Sequence, residues 1–544
     1  MVFLNCPVVS EEILRLDKCP SHIVNRQGRT RVHPCTRVMS HQRLALIVAG
    51  LLLWFCTGCS SIITTDTEPL PDTRLAPLGS ETISNGGYRL GALAESPKSP
   101  DLLVLVAMSG GGKRSAAFSY GALQGMRDLV IRTAQGPASL LQEVDGIAGV
   151  SGGSFTAAYY GLYRDAAFGR FESDFLYRNT ERNIWGIYLL PWNWTWIFDP
   201  TVGTNDFMER VYDREMFRGA RFTDLAQAGR PLIAIGGTDI AFGSPFLFTQ
   251  ETFDLLCADL DRFPVARAVA ASNGFPGLFS PVTLINHAAE CGGRKPGWLR
   301  RVTDAQRNDP RSRIGHEAKA AERYLDPDQV KYVHLIDGGV ADNLALRGAG
   351  ATMQTVSLSA EGIAANRVDR LRRVLLLSID GQGAQDTSVA QRRIVGGLFS
   401  IFGLVSGTKI DRFNFETILV VDDQVQAFAA AIRSARCAIG PVIDGTPCGD
   451  VAGLLVHVSL SALPDSPLKQ QLLAIPTGLT LRHSDVDLLI SAGRSAVTES
   501  DTLRAFLSNY EALQSKGGPR EVGVSRPGRP EAATARFGNA AQRR

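Results

Sequence analysis

The hydrophobic pattern of this chain is a series of short apolar runs separated by longer stretches of mixed character. The run at 102–108 is continuous and apolar, which is typical of a strand covered on both faces, and 144–150 is a second strand candidate. Similar runs at 231–235, 332–336 and 374–379 continue the series, and residues 115–130 between the first two have a helical pattern. The pattern predicts an α/β architecture.

The two ends of the chain do not share this pattern. Residues 60–97 are rich in Thr, Ser, Pro and Gly without periodicity, which predicts a tether. Residues 485–506 look like a closing helical segment. From 516 to 544 the chain carries Gly, Pro, Arg and Ala without apolar periodicity, which predicts a mildly basic, disordered tail.

An apolar stretch near the N-terminus, Leu44 to Phe55, is too short to span a bilayer comfortably but suits the core of a signal peptide. Small residues precede Cys59, so the segment resembles a bacterial lipoprotein signal, although Cys56 stands where such signals usually carry leucine. We expect a signal at 39–58, lipidation of Cys59, and a translation start at Met39 that makes residues 1–38 an upstream extension. A short membrane anchor is the alternative.

Composition limits the function classes. A hydrophobic content of 44% and a charged content of 20% are those of a globular protein. A net charge of +3, without a finger, helix-turn-helix or basic-aromatic pattern, gives no support to a nucleic-acid partner.

Four cysteines would remain in the mature protein, and their spacing does not resemble a metal site. In an oxidising compartment they permit three pairings. Proximity favours Cys437 with Cys448, and free buried thiols are an equal alternative; the other two are Cys257 and Cys291.

The pentapeptide Gly-Val-Ser-Gly-Gly at 149–153 follows a strand candidate and precedes a helix-like segment. This is the pattern of a nucleophile elbow, in which a sharp turn exposes a serine hydroxyl and glycines leave room around it. Ser151 is therefore the candidate nucleophile, with Gly149 and Gly153 as motif glycines. A serine hydroxyl needs a neighbouring base to react.

Three contiguous glycines, Gly110, Gly111 and Gly112, lie between the first strand and the first helix. Successive N–H groups in such a turn form an anion-binding nest, which could hold the oxyanion of an acyl-transfer intermediate. A phosphate-binding loop is the alternative. Such a loop has four residues between its two glycines and a Ser or Thr directly after its lysine, whereas here the glycines are contiguous and Arg114 follows the lysine. Arg114, just after the run, is a candidate for supporting the loop or contacting a head group.

The candidate base is Asp337, which an apolar strand delivers to a loop with Gly338 and Gly339. An Asp-Gly pair is also an ordinary turn, so the assignment depends on the serine. Partial burial beside an uncharged serine would raise the proton affinity of the carboxylate.

These three motifs, in this order, together with 270–282 (Ala-Ala-Ser-Asn-Gly-Phe-Pro-Gly-Leu-Phe-Ser-Pro-Val), resemble the patatin-like phospholipase family. The resemblance implies a three-layer α/β/α fold with a mainly parallel central sheet. It implies a Ser151–Asp337 dyad, an oxyanion hole at residues 110–112, and phospholipid or other acyl-ester lipids as substrates. Ser109 departs from the aspartate of plant-type members and is nearer to the cytosolic phospholipase branch, which leaves head-group preference open.

On this interpretation residues 98–380 form the catalytic domain, 381–510 an extension packed on it, 59–97 the tether, and 511–544 the tail. We expect no cofactor and no metal ion. The enzyme would be a membrane-anchored lipoprotein of a bacterial envelope, in the outer membrane and facing the periplasm, because Ser60 follows Cys59 without the aspartate that signals inner-membrane retention.

Other interpretations remain at this stage. His457 or His483 could formally complete a serine–histidine–acid triad, but neither follows a clear strand end in a glycine-bearing loop. The chain could be an esterase for small soluble esters, or a non-catalytic protein that binds lipid in the same pocket. Four of the six tryptophans fall within 184–198, which could form an interfacial cap or an ordinary aromatic core.

Overall fold

The computed structural model describes residues 67–93, 98–133, 135–182, 203–276, 279–383, 390–391, 393, 398–443 and 445–516. Our predictions for the signal at 39–58, for Cys59, for the tryptophan-rich segment 184–198 and for the tail beyond 516 lie outside these residues. None of the helices in the described part is long and apolar enough to cross a membrane.

The strands form one large sheet and three small two-stranded ones. They are β1 (Glu68–Pro69), β2 (Leu102–Met108), β3 (Val130–Thr133), β4 (Gly136–Ser139), β5 (Val144–Val150), β6 (Leu232–Asp239), β7 (Ser244–Phe248), β8 (Ala258–Asp259), β9 (Val282–Ile285), β10 (Tyr332–Asp337), β11 (Arg373–Asp380), β12 (Val442–Ile443), β13 (Thr446–Pro447) and β14 (Ala452–Ser459).

The α-helices of the described part vary from one turn to more than ten. They are α1 (Gly112–Asp128), α2 (Gly152–Tyr163), α3 (Thr204–Tyr212), α4 (Phe222–Ala228), α5 (Gln250–Leu255), α6 (Val265–Ser272), α7 (Gly297–Arg301), α8 (Asp304–Asn308), α9 (Arg313–Tyr324), α10 (Gly339–Asp342), α11 (Arg347–Val356), α12 (Ala360–Ala365), α13 (Leu398–Ile439), α14 (Pro467–Leu473), α15 (His483–Thr498) and α16 (Asp501–Lys516).

The large sheet has the order β14-β11-β2-β5-β6-β10-β9, with β7 paired to β6. The first five strands are parallel to one another, and β7, β9 and β10 are antiparallel to their neighbours. The sheet is therefore mixed with a parallel majority, which confirms the predicted fold class. The antiparallel direction of β10 did not follow from its apolar pattern.

Alternation along the strands divides the core into two layers. In β11, Leu375 and Leu377 pack into the cluster that contains α1, α2 and α15, whereas Val374 and Leu376 pack against α11 and α13. Because successive side chains of a strand point to opposite faces, one continuous apolar run covers both sides of the sheet. The result is a three-layer α/β/α arrangement.

The edge of β6 explains how two distant parts of the sequence meet. Strand β5 pairs in parallel with the first part of β6, and its last residue, Val150, lies opposite Gly236. Strand β10 is antiparallel to the last part of β6, and Asp337 lies opposite Gly237. Strand β7 pairs with Gly236 and Gly237 as well, so β5 and β10 share the other edge. They run towards each other and end at adjacent positions.

We predicted that the C-terminal region only packs on the catalytic domain, but it also contributes a strand to the main sheet. Strand β14 is the edge strand of the main sheet, parallel to β11 along eight residue pairs. Helix α15 lies directly against α1, and a Cβ added to Gly121 or Gly493 would come within 2.0 Å of a carbonyl oxygen of the facing helix. The described residues between 381 and 510 therefore complete the core of the domain.

Residues 67–93 correct our prediction of a tether from 59 to 97. Ile83 and Tyr88 are fully buried, and the Tyr88 hydroxyl accepts the backbone N–H of Ile233 at 2.7 Å. Arg74 forms an ion pair with Asp259 at 2.6 Å. The elements of this segment are only two or three residues long, so its anchoring residues are spaced irregularly. The sequence therefore shows no helical or strand periodicity that would have identified them.

One further boundary differs from the sequence analysis. Helix α16 extends to Lys516, so residues 511–516 belong to a helix and not to the predicted tail. Of the two alternatives left open for the cysteines, the structure has the disulfides: Cys437 is joined to Cys448, the pairing that proximity favoured, and Cys257 is joined to Cys291 across a sequence separation of 34 residues.

Candidate active site

Ser151 lies at the turn between β5 and α2. Its backbone has φ 50° and ψ −120°, a conformation that side-chain-bearing residues rarely adopt. A hydrogen bond from its N–H to the Ser272 hydroxyl, at 2.9 Å, supports the turn. The elbow predicted from the glycine pattern is present.

The structure brings Asp337 to this serine. The Ser151 hydroxyl donates to Asp337 Oδ2 at 3.0 Å, and the backbone N–H of Gly339 donates to Oδ1 at 2.8 Å. Burial raises the pKa of Asp337 from 3.8 to about 6, and the bonds from Gly339 and Ser151 lower it only in part. A carboxylate with a pKa near 6 is ionised at neutral pH and still holds a proton better than an exposed aspartate.

Two residues at the end of α6 contact the serine, and our sequence analysis gave neither a role. Ser272 accepts the Ser151 N–H and donates to the Gly236 carbonyl at 2.5 Å. Asn273 Oδ1 lies 3.3 Å from the Ser151 hydroxyl. Both belong to the motif at 270–282, which carried the family resemblance, but its sequence does not reveal which side chains reach the serine.

The glycine run lies against the nucleophile turn. A Cβ added to Gly110 would lie 3.3 Å from Ser151 Cβ, and one added to Gly152 would lie 2.0 Å from the Gly112 carbonyl oxygen. Gly111 and Gly112 have φ values of 130° and 60°, which favour glycine. The loop can approach the serine this closely because it has no side chains.

Gly110 does not fit the oxyanion role that we had predicted for all three glycines. Its N–H already donates to the Asn343 carbonyl at 2.8 Å. Within the part of the chain that the structure describes, the N–H groups of Gly111 and Gly112 have no protein hydrogen-bond partner. The two available donors are therefore the N–H groups of Gly111 and Gly112, because the N–H of Gly110 is already bonded to Asn343.

Arg114 supports the glycine loop from behind. Its guanidinium donates to the Gly381 carbonyl at 2.9 Å and to the Ile475 carbonyl at 2.8 Å, and the side chain is buried. Desolvation lowers the pKa of Arg114 to about 10, and Asp380 partly opposes that shift. These contacts favour loop support over the alternative of a head-group contact.

The remaining motif glycines permit close backbone approach. A Cβ at Gly149 would lie 2.7 Å from the Gly153 carbonyl oxygen, and one at Gly153 would lie 2.4 Å from that of Met108. A Cβ at Gly338 would lie 2.3 Å from the Gly236 carbonyl oxygen. Gly339 contributes its N–H to Asp337. Gly149, Gly153 and Gly338 therefore lie where a backbone carbonyl is too close to leave room for a side chain.

Neither candidate histidine contacts the serine or Asp337. His457 lies on β14 with Nδ1 3.1 Å from the Ser378 hydroxyl, and His483 begins α15 with Nε2 3.2 Å from the Tyr177 carbonyl. Over the described residues, no group of three or more His, Cys, Asp or Glu side chains has an arrangement that could hold a metal ion. Asp337 is therefore the titratable side chain that the described structure brings to the Ser151 hydroxyl.

Comparison with known proteins places these motifs in a family. A family model described as patatin-like phospholipase matches residues 106–349, which include the glycine run, Ser151 and Asp337. No curated protein matches the chain.

The solved structures that resemble this chain include human GIVD cytosolic phospholipase A2, with 12% sequence identity, a TM-score of 0.37, and coverage of 75% of this chain and 63% of that one. The same enzyme in complex with methyl gamma-linolenyl fluorophosphonate gives 13% identity, a TM-score of 0.34, and coverage of 76% and 60%. This chain therefore spans less than two thirds of those structures, and superpositions at this level do not bear on its chemistry. The match at 106–349 identifies the domain: the chain carries a domain of the patatin-like phospholipase family.

Proposed function

We propose that this protein is a serine acyl hydrolase of the phospholipase A or lysophospholipase type, which cleaves acyl esters of lipids through a Ser151–Asp337 dyad. The observation that carries the proposal is the 3.0 Å hydrogen bond from the Ser151 hydroxyl to Asp337 Oδ2, beside two glycine N–H groups that have no hydrogen-bond partner among the described residues. The family match supports lipid esters as the substrate class.

In the proposed mechanism Asp337 removes the hydroxyl proton as Ser151 Oγ attacks the ester carbonyl carbon. The carbonyl oxygen becomes an oxyanion, and the N–H groups of Gly111 and Gly112 stabilise it; such donors each contribute about a hundredfold or more in rate. Asp337 then returns the proton to the departing alcohol oxygen as the ester bond breaks. Asp337 then deprotonates a water molecule that attacks the acyl-enzyme, and it returns that proton to Ser151 Oγ as the bond from Oγ to the acyl carbon breaks and a fatty acid is released.

The test is reaction with a fluorophosphonate probe followed by analysis of lipid products. Wild-type protein should be labelled at one serine and should release fatty acid from mixed phospholipid vesicles. Ser151→Ala should do neither, while Ser173→Ala, which removes an exposed serine outside the site, should behave as wild type. Labelling without release from any lipid, but with cleavage of short soluble esters, would favour the small-ester esterase. Lipid binding without labelling would favour a non-catalytic lipid-binding protein.

We also propose that the protein is held at the bacterial outer membrane, facing the periplasm, by lipid on Cys59. The support is in the sequence alone: an apolar stretch of signal-peptide length, small residues before Cys59, and Ser60 after it. Several acyl chains would anchor the protein firmly, whereas one chain binds only marginally.

Cys59→Ser should abolish incorporation of labelled fatty acid and leave an uncleaved precursor. Protein that begins at Ser61 should stay in the soluble fraction and keep its activity on dispersed substrate. A native protein without lipid, whose N-terminus maps upstream of Met39, would contradict both the anchor and the proposed start site.

A further inference from the structure

The Ser151 hydroxyl has a second side-chain neighbour besides the proposed base. Asn273 Oδ1 lies 3.3 Å from Ser151 Oγ, and Asn273 is 6% exposed. The residue follows α6, and its backbone N–H donates to the Val269 carbonyl at 3.0 Å, which holds its backbone at the end of the helix. A buried amide in contact with a reacting oxygen has chemical consequences that depend on which of its atoms faces that oxygen.

The other side of the same amide contacts Tyr212. Asn273 Nδ2 and the Tyr212 hydroxyl are 3.0 Å apart, and Tyr212 is 2% exposed at the end of α3. The Tyr212 ring packs edge-to-face on Phe155, with ring centroids 4.8 Å apart. Burial raises the pKa of Tyr212, so the phenol keeps its proton over the whole neutral range. Among the described residues, this phenolic hydrogen has no acceptor other than the Asn273 amide.

The numbers of donor hydrogens and acceptor atoms in these groups decide the direction of the hydrogen bonds. The Ser151 hydroxyl has one hydrogen, and as a nucleophile it must donate that hydrogen to Asp337. An amide oxygen facing Ser151 would then place two acceptors against each other, and an NH₂ group facing Tyr212 would leave the phenolic hydrogen without a partner. Rotation of the amide by 180° keeps the positions of its heavy atoms and satisfies both groups.

We propose that Tyr212, Asn273, Ser151 and Asp337 form a one-way hydrogen-bond chain in which Tyr212 donates to the Asn273 oxygen and the Asn273 NH₂ donates to Ser151 Oγ. The inference rests on the proposed function. Asn273 is then a catalytic residue, because its N–H stabilises the charge that builds on Oγ as the proton leaves for Asp337. Tyr212 is a positioning residue, because it holds the amide in the donating orientation.

Such a donor acts in both halves of the reaction. Oγ gains negative charge when it loses its proton and again when the acyl-enzyme breaks down and Ser151 becomes the leaving group. A hydrogen bond to Oγ at these stages lowers the barrier without binding the substrate. Loss of the donor should therefore lower kcat and leave KM nearly unchanged.

The experiment compares Asn273→Ala, Tyr212→Phe and the double variant with wild type on a dispersed chromogenic ester. Asn273→Ala should lower kcat by about 10- to 100-fold, as expected for a hydrogen bond to a charged group, with KM changed less than about twofold. Tyr212→Phe keeps the packed ring and should lower kcat by about 3- to 10-fold. Because Tyr212 acts through Asn273, the double variant should be no slower than Asn273→Ala alone.

Asn273→Asp tests the direction of the contact. An ionised carboxylate can only accept, and it would also place a second negative charge near Asp337. Asn273→Asp should therefore lower kcat as much as Asn273→Ala does, and it should shift the acid limb of the pH profile to higher pH. Tyr324→Phe removes a buried phenol that donates to Asp239 at 2.8 Å, away from Ser151, and serves as the matched control with unchanged kcat.

Wild-type kcat in Asn273→Ala or Asn273→Asp would overturn the chain, and additive losses in the double variant would overturn the positioning role of Tyr212. If Asn273→Ala fails to fold, Tyr212→Phe with unchanged kcat serves as the refuting result. Failure of the proposed function is distinguishable, since wild type would then show no ester hydrolysis that Ser151→Ala abolishes. An inactive Ser151→Ala beside a fully active Asn273→Ala would refute only the hydrogen-bond chain.

Discussion

Replacement of Asp337 by asparagine should remove activity and at the same time stabilise the protein. The folded-state pKa of Asp337, about 6, lies above the value of 3.8 for an unperturbed aspartate. The native state therefore binds this proton more tightly than the unfolded state does. The stability that protonated Asp337 contributes is fully present below pH 3.8 and is lost as the pH rises through 6. Asparagine is never ionised, so it avoids that loss.

The magnitude follows from the two pKa values. The difference between the two pKa values corresponds to about 3 kcal/mol at pH 8, where the carboxylate is ionised in both states, and to roughly half of that at pH 5. The asparagine side chain can still accept the N–H of Gly339 and contact Ser151, so little of this gain is offset. Asp337→Asn should have a larger free energy of unfolding than wild type at both pH 5 and pH 8, and the difference should be about twice as large at pH 8 as at pH 5.

Urea denaturation of wild type and Asp337→Asn at pH 5 and pH 8 measures this difference, and ester hydrolysis by the same samples measures activity. Asp342→Asn is the matched control, because burial raises the pKa of Asp342 to about 6 as well while its carboxylate accepts the N–H groups of Leu346 and Arg347. It should show a pH-dependent gain of the same sign and retain at least about a tenth of the wild-type turnover.

Two results would refute the reasoning. A stability difference between wild type and Asp337→Asn that is independent of pH would mean that the folded protein does not hold an ionised, desolvated carboxylate. Near-normal turnover in Asp337→Asn would mean that Asp337 is not the base, whatever the stability of the variant. Ser151→Ala, which removes no carboxylate, should be inactive without the gain in stability at pH 8.

The remaining predictions concern catalysis. Because the base must be ionised and burial raises the pKa of Asp337 to about 6, kcat/KM should fall tenfold per pH unit below about pH 6, and a flat profile down to pH 4.5 would contradict this. Gly112→Ala places a Cβ 2.7 Å from the Gly478 carbonyl oxygen, at a φ of +60° and beside the proposed oxyanion site. We expect kcat to fall by about a hundredfold or more. Gly91→Ala, whose Cβ would meet nothing within 4 Å, should leave kcat unchanged in the same assay. EDTA should leave the hydrolysis rate unchanged, and a loss of activity that one divalent ion restores would contradict a metal-independent mechanism.

The positions of the apolar runs were sufficient to find most of the main sheet. The strands at 102–108, 144–150 and 374–379 were predicted within one residue of their observed bounds. Buried strands covered on both faces are continuous apolar segments, so they are visible in sequence. The anchoring segment 67–93 was mistaken for a tether, because its contacts depend on a few separated side chains such as Ile83 and Tyr88.

The candidate site was visible in part. Glycines mark Ser151, Asp337 and the run at 110–112, because tight turns and close backbone contacts exclude side chains there. The availability of individual N–H groups was not visible. The N–H of Gly110 is bonded to the Asn343 carbonyl and so does not serve the predicted role. The contact of Asn273 with Ser151 depends on where α6 ends.

The sequence by itself determined the residue types of the chemistry and the short-range geometry around each, since turns and strands depend on neighbouring residues. Only the tertiary structure decided that the chemistry could occur. Strands β5 and β10 run towards each other along one edge of β6 and end opposite Gly236 and Gly237, which brings Ser151 within 3.0 Å of a carboxylate 186 residues away. The same packing buries Asp337 and raises its pKa. Strand pairing and desolvation result from contacts between distant segments, and no local pattern encodes them.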